Sequence, residues 1–87
     1  GIYLKNALEE LMITTPLISE VRGMGLLIGI GFNSPIAAEV KALCLENGLL
    51  VGSIGADTIR LAPPLILTIS EAQLFVSTFS RLIKTIQ

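Results

Sequence analysis

The chain has no histidine or tryptophan and a single cysteine, and only 15% of its 87 residues are Asp, Glu, Lys or Arg, against about 25% in an average globular chain. Each shortage removes a class of chemistry. Without histidine, and with Cys44 alone, zinc-type metal sites lack their ligands. The Ser/His and Cys/His pairs of nucleophilic catalysis cannot be assembled within it either. One cysteine closes no internal disulfide, which fits a reducing compartment. A net charge of −1 offers no basic footprint for nucleic acid. No membrane span is expected: the longest uncharged stretch, Gly23 to Ala38, is interrupted by Asn33, Ser34 and Pro35 and falls short of the ~20 mostly apolar residues a spanning helix needs.

What the chain has in excess is apolar surface. Hydrophobic residues make up 52% of it and its mean hydropathy is +0.78, which suits the interior of a larger protein. This length predicts one domain, and a chain so short buries only roughly 60–65% of the surface its unfolded form exposes. The surplus predicts a cover, such as a partner chain or a further domain. A helical pattern is already under way at the first residues, and the expectation is of a piece of something longer.

Residues 2–13 place Leu4, Ala7, Leu8, Leu11 and Met12 on one helical face, with Lys5, Asn6, Glu9 and Glu10 opposite. Thr14, Thr15 and Pro16 end that helix. "ISEVRG" reads as a short alternating strand stopping at Gly23. "GLLIGIGF" reads as a second strand, with Leu26, Ile28, Ile30 and Phe32 on one face and Leu27, Gly29 and Gly31 on the other. Glycine weakens a strand interior and is kept where another backbone or a ligand comes close. In "NSPIAAEVKALCLENG" Ser34 is expected to cap a helix with Pro35 at its first position. Ile36, Val40, Leu43 and Cys44 form its buried stripe, and Gly48 its left-handed end. "LLVGSI" and "TIRLAP" read as strands around the turn-prone "GAD". Ser70 and Gln73 read as the capping box of a last helix, whose stripe is Phe75, Phe79, Leu82, Ile83 and Ile86. The order α–β–β–α–β–β–α predicts an α+β fold, a small, mostly antiparallel sheet of three to four strands covered by helices on one face.

Glu9, Glu10, Glu39, Glu46 and Glu71 lie on the polar faces of predicted helices, where solvated surface charge is expected. Lys5, Lys41 and Lys84 are also on predicted helices, and nothing places one in the desolvated pocket a covalent lysine needs. "RGMGLLIGIG" is not a dinucleotide loop, because its glycines lead into a strand rather than from a strand into a helix. That leaves Arg60. In "TIRLA" Ile59 and Leu61 share one face, while Thr58, Arg60 and Ala62 share the other. If Ile59 and Leu61 meet the helices, Arg60 projects from the uncovered side. Two readings stand: a solvated surface arginine, or a cation covered in the intact protein and therefore paired. Its planar fork suits a carboxylate or phosphate. Pro63 and Pro64 then end the strand.

The strings "EVRGMGLLIGI", "ENGLLV" and "DTIRLAPPLILT", in this order, resemble the C-terminal small domain of class III pyridoxal-phosphate aminotransferases. The resemblance covers nearly the whole chain, and the pairing of "RGxGLLxGI" with a later "IRLAPPL" is specific to the class. It implies that residues 1–87 are a single C-terminal small domain of a fold-type I enzyme. The large domain, outside this chain, would carry the pyridoxal phosphate lysine and most phosphate contacts. Amino acid and 2-oxo acid substrates, a homodimer when full length and a cytoplasmic setting are implied as well. The chain alone is expected to be inactive. Within the class the strings are most similar to members that transfer the amino group of N-acetylornithine to 2-oxoglutarate. Ornithine and 4-aminobutyrate aminotransferases share much of the motif, and a stand-alone small-molecule-binding module is the alternative of another kind. The class's arginine in "IRLAPPL" binds the substrate α-carboxylate, and the matching position here is Arg60. Gly23 and Gly25 match a tight turn. Gly29 and Gly31 are expected to let the large domain pack closely, and Arg22 is given no catalytic role.

Overall fold

Along the chain run α1 (Ile2–Ile13), β1 (Ile18–Met24), β2 (Leu27–Phe32), α2 (Ala37–Glu46), β3 (Gly52–Ile54), β4 (Thr58–Leu61) and α3 (Ile69–Ile86), in a computed structural model that describes residues 2–24, 27–62 and 68–86. The strands form one antiparallel sheet in the order β1–β2–β4–β3. Ile28, Ile30 and Phe32 of β2 and Ile59 and Leu61 of β4 are buried in one cluster with Leu4 and Leu8 of α1, Val40 and Cys44 of α2, and Phe79, Leu82 and Ile83 of α3. The helices therefore cover one face, and the fold is the α+β arrangement that the periodicities predict. Full burial of a Leu, Ile or Phe side chain contributes roughly 1.5–3 kcal/mol, so this shared layer is what holds the sheet and the helices together. Phe75 and Phe79, one turn apart on α3, add a stacked ring pair at 5.9 Å.

β1 departs from the simple alternation expected of it. Ile18 and Val21 are three positions apart, which in a regular strand puts them on opposite faces; both are buried. The register shifts between Ile18, opposite Phe32, and Glu20, opposite Gly31. Ser19 is thus an extra, bulged residue, and it turns Ile18 back toward the helices. Across from the bulge, a Cβ at Gly31 would meet the Glu20 Cβ and the Ser19 Oγ at 3.4 Å, an ordinary contact. Gly23 is not in a turn. It pairs with Ile28 inside β1, under the aliphatic stem of Lys5, whose Cδ would be 3.7 Å from an added Cβ. Gly25, Leu26, Pro63 and Pro64 fall outside the described residues.

Three further boundaries differ from the sequence reading. α2 starts at Ala37, with Ile36 in the cap position and no side-chain cap, so Ser34 and Pro35 stand outside it. The amide of Ala37 instead donates to the Ala56 carbonyl at 3.0 Å, a partner in the β3–β4 turn that local sequence does not reveal. The strand expected at "LLVGSI" is confined to Gly52–Ile54. The box opening α3 is Thr68 with Glu71, not Ser70 with Gln73: the Thr68 amide donates to Glu71 Oε1 at 3.0 Å and the Glu71 amide to Thr68 Oγ1 at 3.1 Å. Gly48 does end the α2 segment in the left-handed region, at φ +80°.

Candidate functional site

Period-two alternation in β4 buries Ile59 and Leu61 and leaves Arg60 exposed between them on the helix-free face. The register gives Arg60 a glycine on each side: Gly29 of β2 and Gly52 of β3. Arg22 of β1 lies opposite Gly29, so Arg22, Gly29, Arg60 and Gly52 form one row across the sheet. With no side chain on either adjacent strand, the cation stands in a trough. Its stem leans over β3: the Arg60 Nε is 2.7 Å and its Cγ 3.2 Å from where a Cβ on Gly52 would be.

At that edge opens a hollow of about 650 Å³ lined by Arg60, Gly52, Leu50, Leu74 and Phe75, among others. Arg60 and Glu71 are its charged lining residues among those described. Glu71 is committed elsewhere. The Thr68 backbone amide, and then its side chain, hold the Glu71 carboxyl below the usual carboxylate range, tying the charge to the start of α3. Among the described residues Arg60 has no ion-pair partner. Arg22 approaches Glu20 at 3.9 Å with both side chains largely exposed, a contact that contributes little.

The remaining candidates are not brought to this hollow. Lys5 pairs with Glu9 on α1 at 3.2 Å, and Lys41 and Lys84 are exposed on α2 and α3. Glu10, Glu39 and Glu46 are exposed on helices. Cys44 is fully buried, and burial pushes its thiol up to about 11, the opposite of an activated nucleophile. Two participants escaped the sequence reading. Gly52 carries the same signal as Gly29 and Gly31, a glycine inside a strand, but its position opposite Arg60 depends on the β3–β4 register. Glu71 looks like any helix-surface carboxylate until Thr68 is seen at the cap. Together the residues set a planar cation, without an ion-pair partner among the described residues, beside an apolar hollow, and its fork has the geometry that suits a carboxylate or phosphate.

The chain belongs to the class III aminotransferases: that family's profile, Aminotransferase class-III, matches residues 1–83. Among its relatives is the acetylornithine aminotransferase of Mycobacterium tuberculosis strain H37Rv, 47% identical over 74 residues that cover 85% of this chain and 18% of the relative. The acetylornithine aminotransferase of Lactococcus lactis is 43% identical over 74 residues, covering 84% of this chain and 20% of the relative. In three dimensions the chain matches the crystal structure of acetylornithine aminotransferase from Elizabethkingia anophelis with a TM-score of 0.87 and 35% identity, over 98% of this chain and 23% of that one. Ornithine aminotransferase from Plasmodium yoelii matches with a TM-score of 0.87 and 27% identity, over 100% of this chain and 24% of that one. The chain thus spans about a fifth of the length of the proteins it matches.

Proposed function

We propose that residues 1–87 are the C-terminal small domain of an acetylornithine aminotransferase, a cytoplasmic homodimer of arginine biosynthesis that moves the amino group of N-acetylornithine to 2-oxoglutarate. In that enzyme Arg60 receives a substrate α-carboxylate, that of 2-oxoglutarate, which is attached to the carbon that gains the amino group. The observation carrying this reading is the setting of Arg60, a cation with no ion-pair partner among the described residues, flanked by glycines and facing an apolar hollow. Class III aminotransferases work with pyridoxal phosphate, which when bound supplies a ring system that takes up the electron pair left by breaking the C–H bond beside the amine. The residues described here do not fit as its holders, since Lys5 is paired with Glu9 and Lys41 and Lys84 are exposed. Its attachment is assigned to the part of the protein outside this chain.

Magnitudes set what the reading requires. A carboxylate meeting a solvated arginine gains only about 0–1 kcal/mol. A charge-assisted hydrogen bond shielded from water contributes about 1.5–3 kcal/mol, and a bidentate pair adds geometric selectivity. The apolar walls around Arg60, Leu50 and Leu74 among them, supply part of that shielding, and the rest of the enzyme supplies the remainder. In the full-length protein Arg60→Ala is expected to lower kcat/KM for 2-oxoglutarate by about tenfold to several-hundredfold, at 1.4 kcal/mol per decade. The α-amine of N-acetylornithine is blocked and its δ-amine is the one transferred, so its α-carboxylate lies several bonds from the reacting carbon and the donor half-reaction suffers less. Arg60→Lys restores part of the loss, because it keeps the charge and loses the fork. Single-turnover kinetics of each half-reaction, run against N-acetylornithine, ornithine and 4-aminobutyrate, is the test. Unchanged kcat/KM for 2-oxoglutarate in Arg60→Ala returns Arg60 to the solvated surface, and preference for another donor replaces the acetylornithine assignment.

A further inference from the structure

We propose that Gly52 is a positioning residue for the Arg60 guanidinium: the absent side chain at 52 is what lets the arginine lie across β3, at the rim of the hollow that both residues line. The inference rests on the carboxylate-binding reading of Arg60. Its basis is a distance. A Cβ on Gly52 would fall 2.7 Å from the Arg60 Nε, 3.2 Å from Cγ and 3.5 Å from Cδ, against an ordinary contact range of 3.4–4 Å. One methyl group at this point thus displaces the distal arginine by roughly 1 Å. A shift of that size at a substrate-orienting group can lower rate by on the order of a hundredfold.

The site, and not the fold, would bear this cost. Gly52 lies outside the left-handed backbone region that only glycine favours, unlike Gly48 and Gly55, so alanine is accommodated there without backbone strain. The obstructing atoms belong to a flexible, exposed side chain that can swing away, and the core residues flanking it, Ile59 and Leu61, point to the opposite face. Replacing glycine by alanine also narrows the unfolded ensemble, which favours the folded state. Gly52→Ala therefore separates two properties that most damaging substitutions lower together.

The test is a double-mutant cycle in the full-length enzyme, with Gly52→Ala, Arg60→Ala and the two combined. For Gly52→Ala the expected result is a fall of about tenfold to a hundredfold in kcat/KM for 2-oxoglutarate, carried mainly by KM, with Tm unchanged or higher. In the Arg60→Ala background the methyl group meets nothing, and Gly52→Ala has no further effect. Three results would overturn the proposal: undiminished kcat/KM in Gly52→Ala, an equal loss from Gly52→Ala with Arg60 already removed, or a loss that tracks a lowered Tm. If Arg60→Ala impairs the 2-oxoglutarate half-reaction and Gly52→Ala does not, only the positioning role fails. If Arg60→Ala is itself without effect, that role and the carboxylate reading fall together.

Discussion

Cys44 and Arg60 both sit amid apolar sequence, and their fates differ by which face the backbone turns them to. The thiol is sealed on the inner side of α2, where burial pushes it up to about 11 from an ordinary 9.0. Since the folded-state value exceeds the unfolded one, the thiol's contribution to stability is complete below pH ~9. It is lost as pH rises from there through ~11, a difference of order 2 kcal/mol. Denaturant unfolding at pH 8, 10 and 11 is expected to show this decline in the wild-type chain and to lack that part of it in Cys44→Ala; equal slopes in the two would refute it. At the same scale, Arg60 was legible because alternation in "TIRLA" fixes its face once Ile59 and Leu61 are recognised as core. Gly52 was not, because its partner is set by strand register and not by its neighbours in sequence.

The elements were largely readable from period, and their ends were not. Stripes such as Leu4 and Leu8, or Phe79, Leu82 and Ile83, named the helices and their inward faces. Caps are not legible where a tertiary partner replaces a local one, as Ala56 does for the amide of Ala37. Simple alternation does not describe β1, where Ile18 and Val21 are three apart, and the bulge at Ser19 reconciles that spacing with burial of both. The Thr68–Glu71 box gives α3 its start and is open to direct test. Thr68→Ala is expected to cost about 1 kcal/mol of stability. Because the folded Glu71 carboxyl titrates below its unfolded value, its stabilising contribution is present above the unfolded pKa and lost as pH falls through the lower, folded one. Acid unfolding of Glu71→Gln beside wild type should show that increment missing at neutral pH and the two curves converging in acid. Parallel curves across the range would count against the cap.

For the molecule as a whole, the apolar surplus seen in composition reappears as side chains left outside the core. Leu50 and Leu74 are 86% and 67% exposed and line the same hollow as Arg60, and Ile13 is 81% exposed on the α1 end. Contiguous apolar surface of this kind drives association. The 87-residue chain produced by itself is expected to self-associate with rising concentration and to bind a hydrophobic dye. Sedimentation showing a strict monomer without dye binding would mean the surplus needs no cover. Composition announced this property plainly, but where the exposed residues gather follows only from the packing of α3 against α1 and α2.

One more consequence follows from the way β4 divides its side chains. The backbone beneath Arg60 is clamped from the inner side by Ile59 and Leu61, at 0% and 3% exposure, and bonded to β2 and β3 on both flanks. Its Cα cannot yield to a ligand without disturbing the best-packed layer of the fold, which resists deformation as a close-packed solid does. If Arg60 receives a carboxylate, adjustment to it falls to the arginine's own torsions, the freedom that a methyl group at position 52 would restrict, and not to the strand that carries them.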